Sequence, residues 1–499
     1  MKRNLHAGKK RSGGFSANLL TEDELYEIHL ATLEVMEKTG LFVEDEEAME
    51  IFDGGGVRVH RESKIVKFPP YVVEDAIRSA PSKIVLAGRN PKHDFVMEGN
   101  RTGFTNFGEG ILVNDLITGE QRPSTKQDTA NSVLLVDYLE NFDVCQRAVA
   151  ARDKPPEALP VHNAEATLVN TSKHCFIGPG DRGPLKWLLE MGAAVVGGKE
   201  KLREKPILTF NTCPTSPLRL LRPFCHIVVD TARFGVAANI ISMAMAGASA
   251  PVSLAGALVI QNAEILGGIV LSQLTRKGAP VIYGSTTTIM DLKITTSPMG
   301  CPEIGMVSAA AAKLAQSYEI PSWVAGGWGD SKLSDAQAGH EKTLTALLPA
   351  LAGANIIYGS GSLEMGTTLD WAQLVMDNEF AGMIKHMVRG IPVTDETLAV
   401  DVIHEVGPLG DFISHEHTRM HMKTMQSQPK LIDRRRREFW QQRGATDLAQ
   451  RARDEAKYIL KTHKPDPLPP ELISTLRSIV EAAEADLCVP KERRRRKRG

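Results

Sequence analysis

The feature that most limits this fold is a repeated alternation. From residue 101 onward, short apolar runs rich in Val, Ile and Phe end in Gly, Asn, Ser or Thr, and each is followed by a longer segment with helical apolar spacing. Eight runs can be counted: TGFTNFG from Thr102, FDVCQRAVA from Phe142, HCFIGPG from His174, PILTFNT from Pro206, ANIISMAM from Ala238, APVIYGST from Ala279, PSWVAGG from Pro321 and NIIYGSG from Asn355. The connectors include STKQDTANSVLLVDYLE, RGPLKWLLEMGAAVVGG, APVSLAGALVIQNAEILGGIVLSQLTRKG and SDAQAGHEKTLTALLPALAG, several of them closing on Gly. Eight strand-then-helix units predict an α/β fold, a closed parallel (β/α)₈ TIM barrel. The competing solution is an open doubly wound sheet. Its first strand would run into G-x-G-x-x-G, whereas here it runs into Gly108-Glu109-Gly110.

Three parts are expected along the chain: an N-terminal helical extension over 1–100, the catalytic barrel over 101–400, and a C-terminal helical segment with a basic tail over 401–499. The extension opens with TEDELYEIHLATLEVMEKTG, where Thr21 and Glu24 form a capping box, followed by PPYVVEDAIRSAP and the β-like SKIVLAG. Near Pro465 the stretch HKPDPLPPE sets off a last helix.

Composition narrows the function classes. With 42% hydrophobic and 24% charged residues the chain matches soluble globular enzymes rather than disordered, fibrous or membrane proteins. A net charge of -1 offers no global field for nucleic acid or an anionic membrane. The basic runs Lys9-Lys10-Arg11, Arg434 to Arg437 and Arg493 to Arg498 read as solvated tails and faces. The six cysteines form no C-x-x-C pair, and no uncharged apolar run reaches membrane-spanning length, so a cytoplasmic protein is expected, as a homo-oligomer.

A barrel carries its working residues on the loops after the strands. That nominates Asn106 and Glu109 after the first strand, Arg147 in the second, Asn211 and Thr212 after the fourth, and Ser285 to Thr288 after the sixth. The seventh brings Trp323, Trp328, Asp330, Lys332, His340 and Glu341, and the eighth Ser360, Glu364 and Met365. Each also has a structural reading: loop polar groups satisfy backbone, Lys332 is solvated, and His340 with Glu341 makes a surface pair. Two of the five tryptophans, Trp323 and Trp328, fall at the end of the seventh strand, where they either pack the core or face a quaternary ammonium. His415, His417 and His421 have partial metal-ligand spacing but lie beyond the eighth strand, and no metal is expected. No H-E-x-x-H, G-x-x-x-x-G-K-[ST] or G-x-S-x-G occurs.

Three blocks in order, APVSLAGALVIQNAEILGGIVLSQL, GGWGDSKLSDAQAGHEKTLTALLPALAGANIIYGSGSLEMG and DFISHEHTRMHM, resemble the trimethylamine:corrinoid methyltransferase superfamily over nearly the whole chain. The resemblance implies a (β/α)₈ barrel that moves a methyl group from a methylated amine to the cobalt of a separate corrinoid protein. It also implies pyrrolysine, in trimethylamine-specific members, within the block that here reads Gly327-Trp328-Gly329-Asp330-Ser331-Lys332. Ordinary residues there point to the branch resembling glycine betaine methyltransferases. On that reading Trp328, Trp323 and Phe104 pack against the trimethylammonium, and Asn106, Glu109, Lys332 and His340 contact the rest of the substrate. Asp330 and Glu364 are the catalytic candidates. No intrinsic cofactor is expected, because the cobalamin signature D-x-H-x-x-G is missing and the corrinoid would arrive on its partner. Trimethylamine, proline betaine or carnitine as donor, a barrel lyase or isomerase with a phosphate site at Gly326-Gly327 and Gly359 to Gly361, and a non-catalytic betaine-binding barrel remain the alternatives.

Overall fold

The computed structural model describes residues 19–488. All eight predicted strands form: β1 (Gly103–Asn106), β2 (Cys145–Gln146), β3 (Cys175–Ile177), β4 (Leu208–Thr212), β5 (Ala238–Ser242), β6 (Val281–Ser285), β7 (Ser322–Ala325) and β8 (Ile356–Ser360). They make one parallel sheet in the order β1-β8-β7-β6-β5-β4-β3-β2. Every residue of β5, β6, β7 and β8 is buried, because the lumen covers one face and the helices cover the other.

Side chains close the barrel where β1 meets β2. The Asn106 amide donates to Gln146 O at 2.8 Å and accepts from Gln146 N–H at 3.0 Å, while Gln146 Nε2 reaches back to Asn106 O at 3.0 Å. Side-chain amides thus stand in for missing ladder bonds, and backbone pairing resumes at Gly110 and Val149. Among the helices that bear on the site are α1 (Leu254–Thr275), α2 (Ala336–Leu351) and α3 (Trp371–Val388). By length and composition α1 could cross a membrane, with mean hydropathy 1.7, but most of it is buried inside this protein.

The N-terminal segment departs from a purely helical extension. Its first helix, Glu22–Glu34, carries the expected Thr21–Glu24 capping box. Leu41–Val43, however, pairs antiparallel with Ile65–Lys67 and parallel with Arg219–Leu220, and Lys83–Leu86 forms a hairpin with Phe95–Glu98. β-branched and aromatic runs of three or four residues are too short to register as strands without their partners. Toward the other end, helices Leu448–Thr462 and Pro470–Leu487 pack on the body. The four short helices between 395 and 442 bury no residue. Arg434 to Arg437 lie in this exposed stretch; Lys9 to Arg11 and Arg493 to Arg498 fall outside the described residues.

Candidate active site

The lumen floor is aromatic. Phe176 on β3 and Trp323 on β7 stand on strands that are not neighbours, yet their rings meet at 4.1 Å, so both point inward. Tyr358 on β8 continues the stack 5.1 Å from Trp323. Beside this stack runs a row of amides. Asn211 Nδ2 donates to Gln146 Oε1 at 2.9 Å, and Asn239 Nδ2 to Asn211 Oδ1 at 3.0 Å. Each bond fixes the orientation of the next amide and leaves Asn239 Oδ1 buried with no donor. Gly284 of β6 makes room there, since a Cβ on it would lie 2.8 Å from that oxygen.

Above lies the mouth. The hydroxyls of Tyr358 and Thr286 touch. Cys213 after β4 reaches solvent through the mouth, and the protein crowded around it together with the charge of Glu109 holds its thiol above the usual range. Burial also pushes the Tyr358 phenol well up, and Glu109 adds to the rise. Both groups are therefore neutral near pH 7. Glu109 is mostly exposed, with a carboxylate oxygen 3.7 Å from Arg147 Nη2. Arg147 Nη1 is buried without a partner.

The loop after β7 is held on every side. Lys342 of α2 and Asp377 of α3 form a buried ion pair at 2.9 Å. Lys342 Nζ also donates to Gly327 O at 2.8 Å, and Asp377 Oδ2 accepts from Gly361 N–H at 2.7 Å, so one pair fixes the exits of β7 and β8. Glu341 Oε2 accepts the N–H groups of Asp330 and Ser331. Facing it, Glu364, Met365 and Gly366 all adopt positive φ, at 52°, 57° and 83°. The first two donate their N–H groups to Ser331 O and Gly329 O.

These contacts correct several expectations. Trp328 is a wedge: its ring lies edge-on to Phe107 and Tyr358, and a Cβ on Gly359 or Gly366 would run into it. Asp330 spends its carboxylate on Met299 N–H at 2.7 Å, with burial raising its pKa. Glu364 accepts from Gln121 Nε2 at 2.6 Å. Lys332 is exposed and donates to Asp330 O, and His340 is exposed on α2. Asn106 is consumed by the seam. Phe104 stands in register with Ile357, next to the lumen-facing Tyr358, so alternation turns its ring toward the helices. Of the nominated residues, Trp323 and Asn211 sit in the lumen, and Glu109, Arg147 and Thr286 at its mouth.

Three of the glycine amides proposed to cradle a phosphate are already taken. Gly326 N–H goes to Tyr358 O, that of Gly327 to Thr345 Oγ1, and that of Gly361 to Asp377. Sequence reasoning missed Phe176, Tyr358, Asn239 and Cys213. The available signal was the two-residue period within strands already identified. The histidines of HEHTRMHM stack, His417 on His421 at 4.4 Å, and among the described residues no group of three or more His, Cys, Asp or Glu could hold a metal.

Comparison with known proteins bears on this site. The family model for trimethylamine methyltransferase (MTTB) matches residues 8–488. A trimethylamine methyltransferase MttB of Desulfitobacterium hafniense is 55% identical over 480 residues, 96% of this chain and 97% of the relative. One from Methanosarcina thermophila is 44% identical, over 96% of this chain and its own full length. A glycine betaine methyltransferase of Desulfitobacterium hafniense is 33% identical, over 93% and 96%. The resemblance read from the three sequence blocks is thus a matter of descent over nearly the whole length: the chain belongs to the trimethylamine methyltransferase (MTTB) family.

Proposed function

We propose that this enzyme takes a methyl group from a small quaternary amine, with glycine betaine the first candidate, and passes it to Co(I) of a separate corrinoid protein, leaving dimethylglycine. The observation that carries this reading is the lumen: an aromatic stack, Phe176–Trp323–Tyr358, beside an undonated amide oxygen, Asn239 Oδ1. Ring faces and a carbonyl dipole both attract a trimethylammonium group. Such a donor carries its own neutral leaving group, so the carbon–nitrogen bond breaks as the cobalt–carbon bond forms and no proton moves. The protein need only bind and orient. This agrees with a lumen whose titratable neighbours, Cys213 and Tyr358, are neutral at working pH.

A corrinoid protein as partner is supported by the rim. Exposed Ile117, Met243, Val252, Leu292, Ile294 and Leu333 stand on loops after β1, β5, β6 and β7, an apolar collar suited to another protein surface. Homo-oligomerisation is supported by the segment between 391 and 425, where Ile391, Leu409 and Ile413 are 91%, 100% and 85% exposed. We assign the protein to the cytoplasm, where a reduced corrinoid survives. Trimethylamine is the second reading, favoured by the 55% identical relative named for it. Reduced corrinoid protein mixed with this enzyme and either amine tests both. Growth of the methylcobalt absorption with glycine betaine supports the first, growth with trimethylamine alone supports the second, and amine binding without methylcobalt leaves a non-catalytic barrel.

A further inference from the structure

Cations near the mouth differ in how many of their donors are used. Lys342 is paired with Asp377 and Gly327 O, and Arg122 with Asp115 and Asp128. Arg147 is not saturated. Its guanidinium is permanently charged and 15% exposed, yet Nη1 is buried with no acceptor and Nη2 is 3.7 Å from Glu109, beyond hydrogen-bond reach. A buried charged donor without a partner is costly, and a guanidinium fork matches a carboxylate bidentately. Glu109 is 69% exposed, so it can turn aside. Glu109 follows the carboxyl end of β1 and Arg147 that of β2, which sets both at the face where the barrel opens. Two opposite formal charges therefore stand side by side at the lumen entrance.

We propose that Arg147 and Glu109 read the charge pattern of the substrate: Arg147 receives a carboxylate through its unfilled guanidinium face, and Glu109 lies toward the adjoining trimethylammonium. A betaine, with both charges on one short chain, would lie antiparallel to this pair. An amine without a carboxylate would leave Arg147 unfilled. The inference rests on the methylated-ammonium reading above and adds the selection of zwitterions. It replaces Lys332 and His340, whose positions suit neither task.

The test is calorimetric titration of the full chain with glycine betaine, choline and trimethylammonium. Wild type should bind glycine betaine about tenfold or more tightly than choline. Arg147→Met should remove that advantage while leaving choline affinity within about twofold, and Arg147→Lys should restore part of it. Glu109→Gln should weaken betaine and choline alike and leave their ratio intact, a result that does not depend on Arg147→Met folding. Undiminished betaine affinity in Arg147→Met, or a wild type that prefers choline or trimethylammonium, overturns the charge-reading role while the methylated-ammonium reading stands. A wild type that binds none of the three, and forms no methylcobalt with any, overturns both.

Discussion

Replacing Lys342 by methionine tests whether one buried pair holds the two loops that shape the site. The side chains of Lys342 and Asp377 are 1% and 3% exposed, so water cannot compensate the carboxylate once the ammonium is gone. Methionine fills nearly the same volume, which keeps cavity formation out of the balance. An uncompensated buried charge costs about 3–5 kcal/mol. The lost donor to Gly327 O belongs to the same event and is not added. In the double variant Lys342→Met with Asp377→Leu no stranded charge remains, and what persists is the unfilled Gly327 carbonyl, Gly361 amide and Gln373 side-chain amide, about 1–3 kcal/mol each at most. The double variant should therefore be more stable than the single one. Urea unfolding followed by far-ultraviolet circular dichroism measures both, with the m-value as control. Tryptophan fluorescence at zero denaturant reports whether Trp328, next to Gly327, has moved. A single-variant loss under about 1 kcal/mol, or a double variant no better than the single, would refute the claim that the pair's charge balance supports these loops.

Further outcomes follow from neighbouring contacts. Trp323→Leu should cost about 3–5 kcal/mol in unfolding free energy, because it empties the centre of a stacked lumen, and it should weaken quaternary ammonium binding; normal stability would mean the lumen is not packed around this ring. His174 is buried between Ala87 O and Thr209 Oγ1, and burial drives its pKa down to about 4. The unfolded chain takes up that proton first, so stability should fall by up to about 3 kcal/mol as pH drops from about 6.5 toward 4, and acid unfolding of His174→Gln should lack that slope. Burial raises the Glu264 carboxyl, which accepts from Ser216, Leu218 N–H and Ser242. Its contribution should be whole below about pH 4 and fade as pH rises, so wild type should lose ground to Glu264→Gln as pH is raised from about 4. Leu409→Asp with Ile413→Asp should lower the mass measured by light scattering after gel filtration if these side chains bury against a second copy; an unchanged assembly would place the contact elsewhere.

The strands were legible because burial on both faces forces continuous β-branched and aromatic runs, and because Gly, Asn or Ser marks where each one leaves the sheet. The same double burial hid which way side chains face. Phe104 and Tyr358 are both aromatic residues on buried strands, but Phe104 stands in register with Ile357, so alternation puts the two rings on opposite faces, and only the pairing of β1 with β8 reveals it. Partners distant in the chain were equally invisible. Lys342 and Asp377 meet across two helices, and Asn106 and Gln146 across the seam.

The polar residues were misread for one physical reason. A loop at a barrel mouth has backbone groups to satisfy as well as a substrate to bind, and the first need takes most of the side chains. Asp330 serves Met299 N–H, Asn106 serves the backbone of β2, and Glu341 serves two amides of its own loop. Chemical type and position cannot separate these from a ligand-binding group, since a carboxylate that caps a loop and one that holds a substrate look alike in sequence. Unfilled hydrogen-bonding capacity can. By that criterion Asn239 Oδ1 lacks a donor, Arg147 Nη1 lacks an acceptor, and the Trp323 and Trp328 indoles and the Thr287 hydroxyl are also unpartnered, while Asp330 and Asn106 have their partners. On the proposed reading, the amide oxygen meets the trimethylammonium and the guanidinium the carboxylate of a betaine.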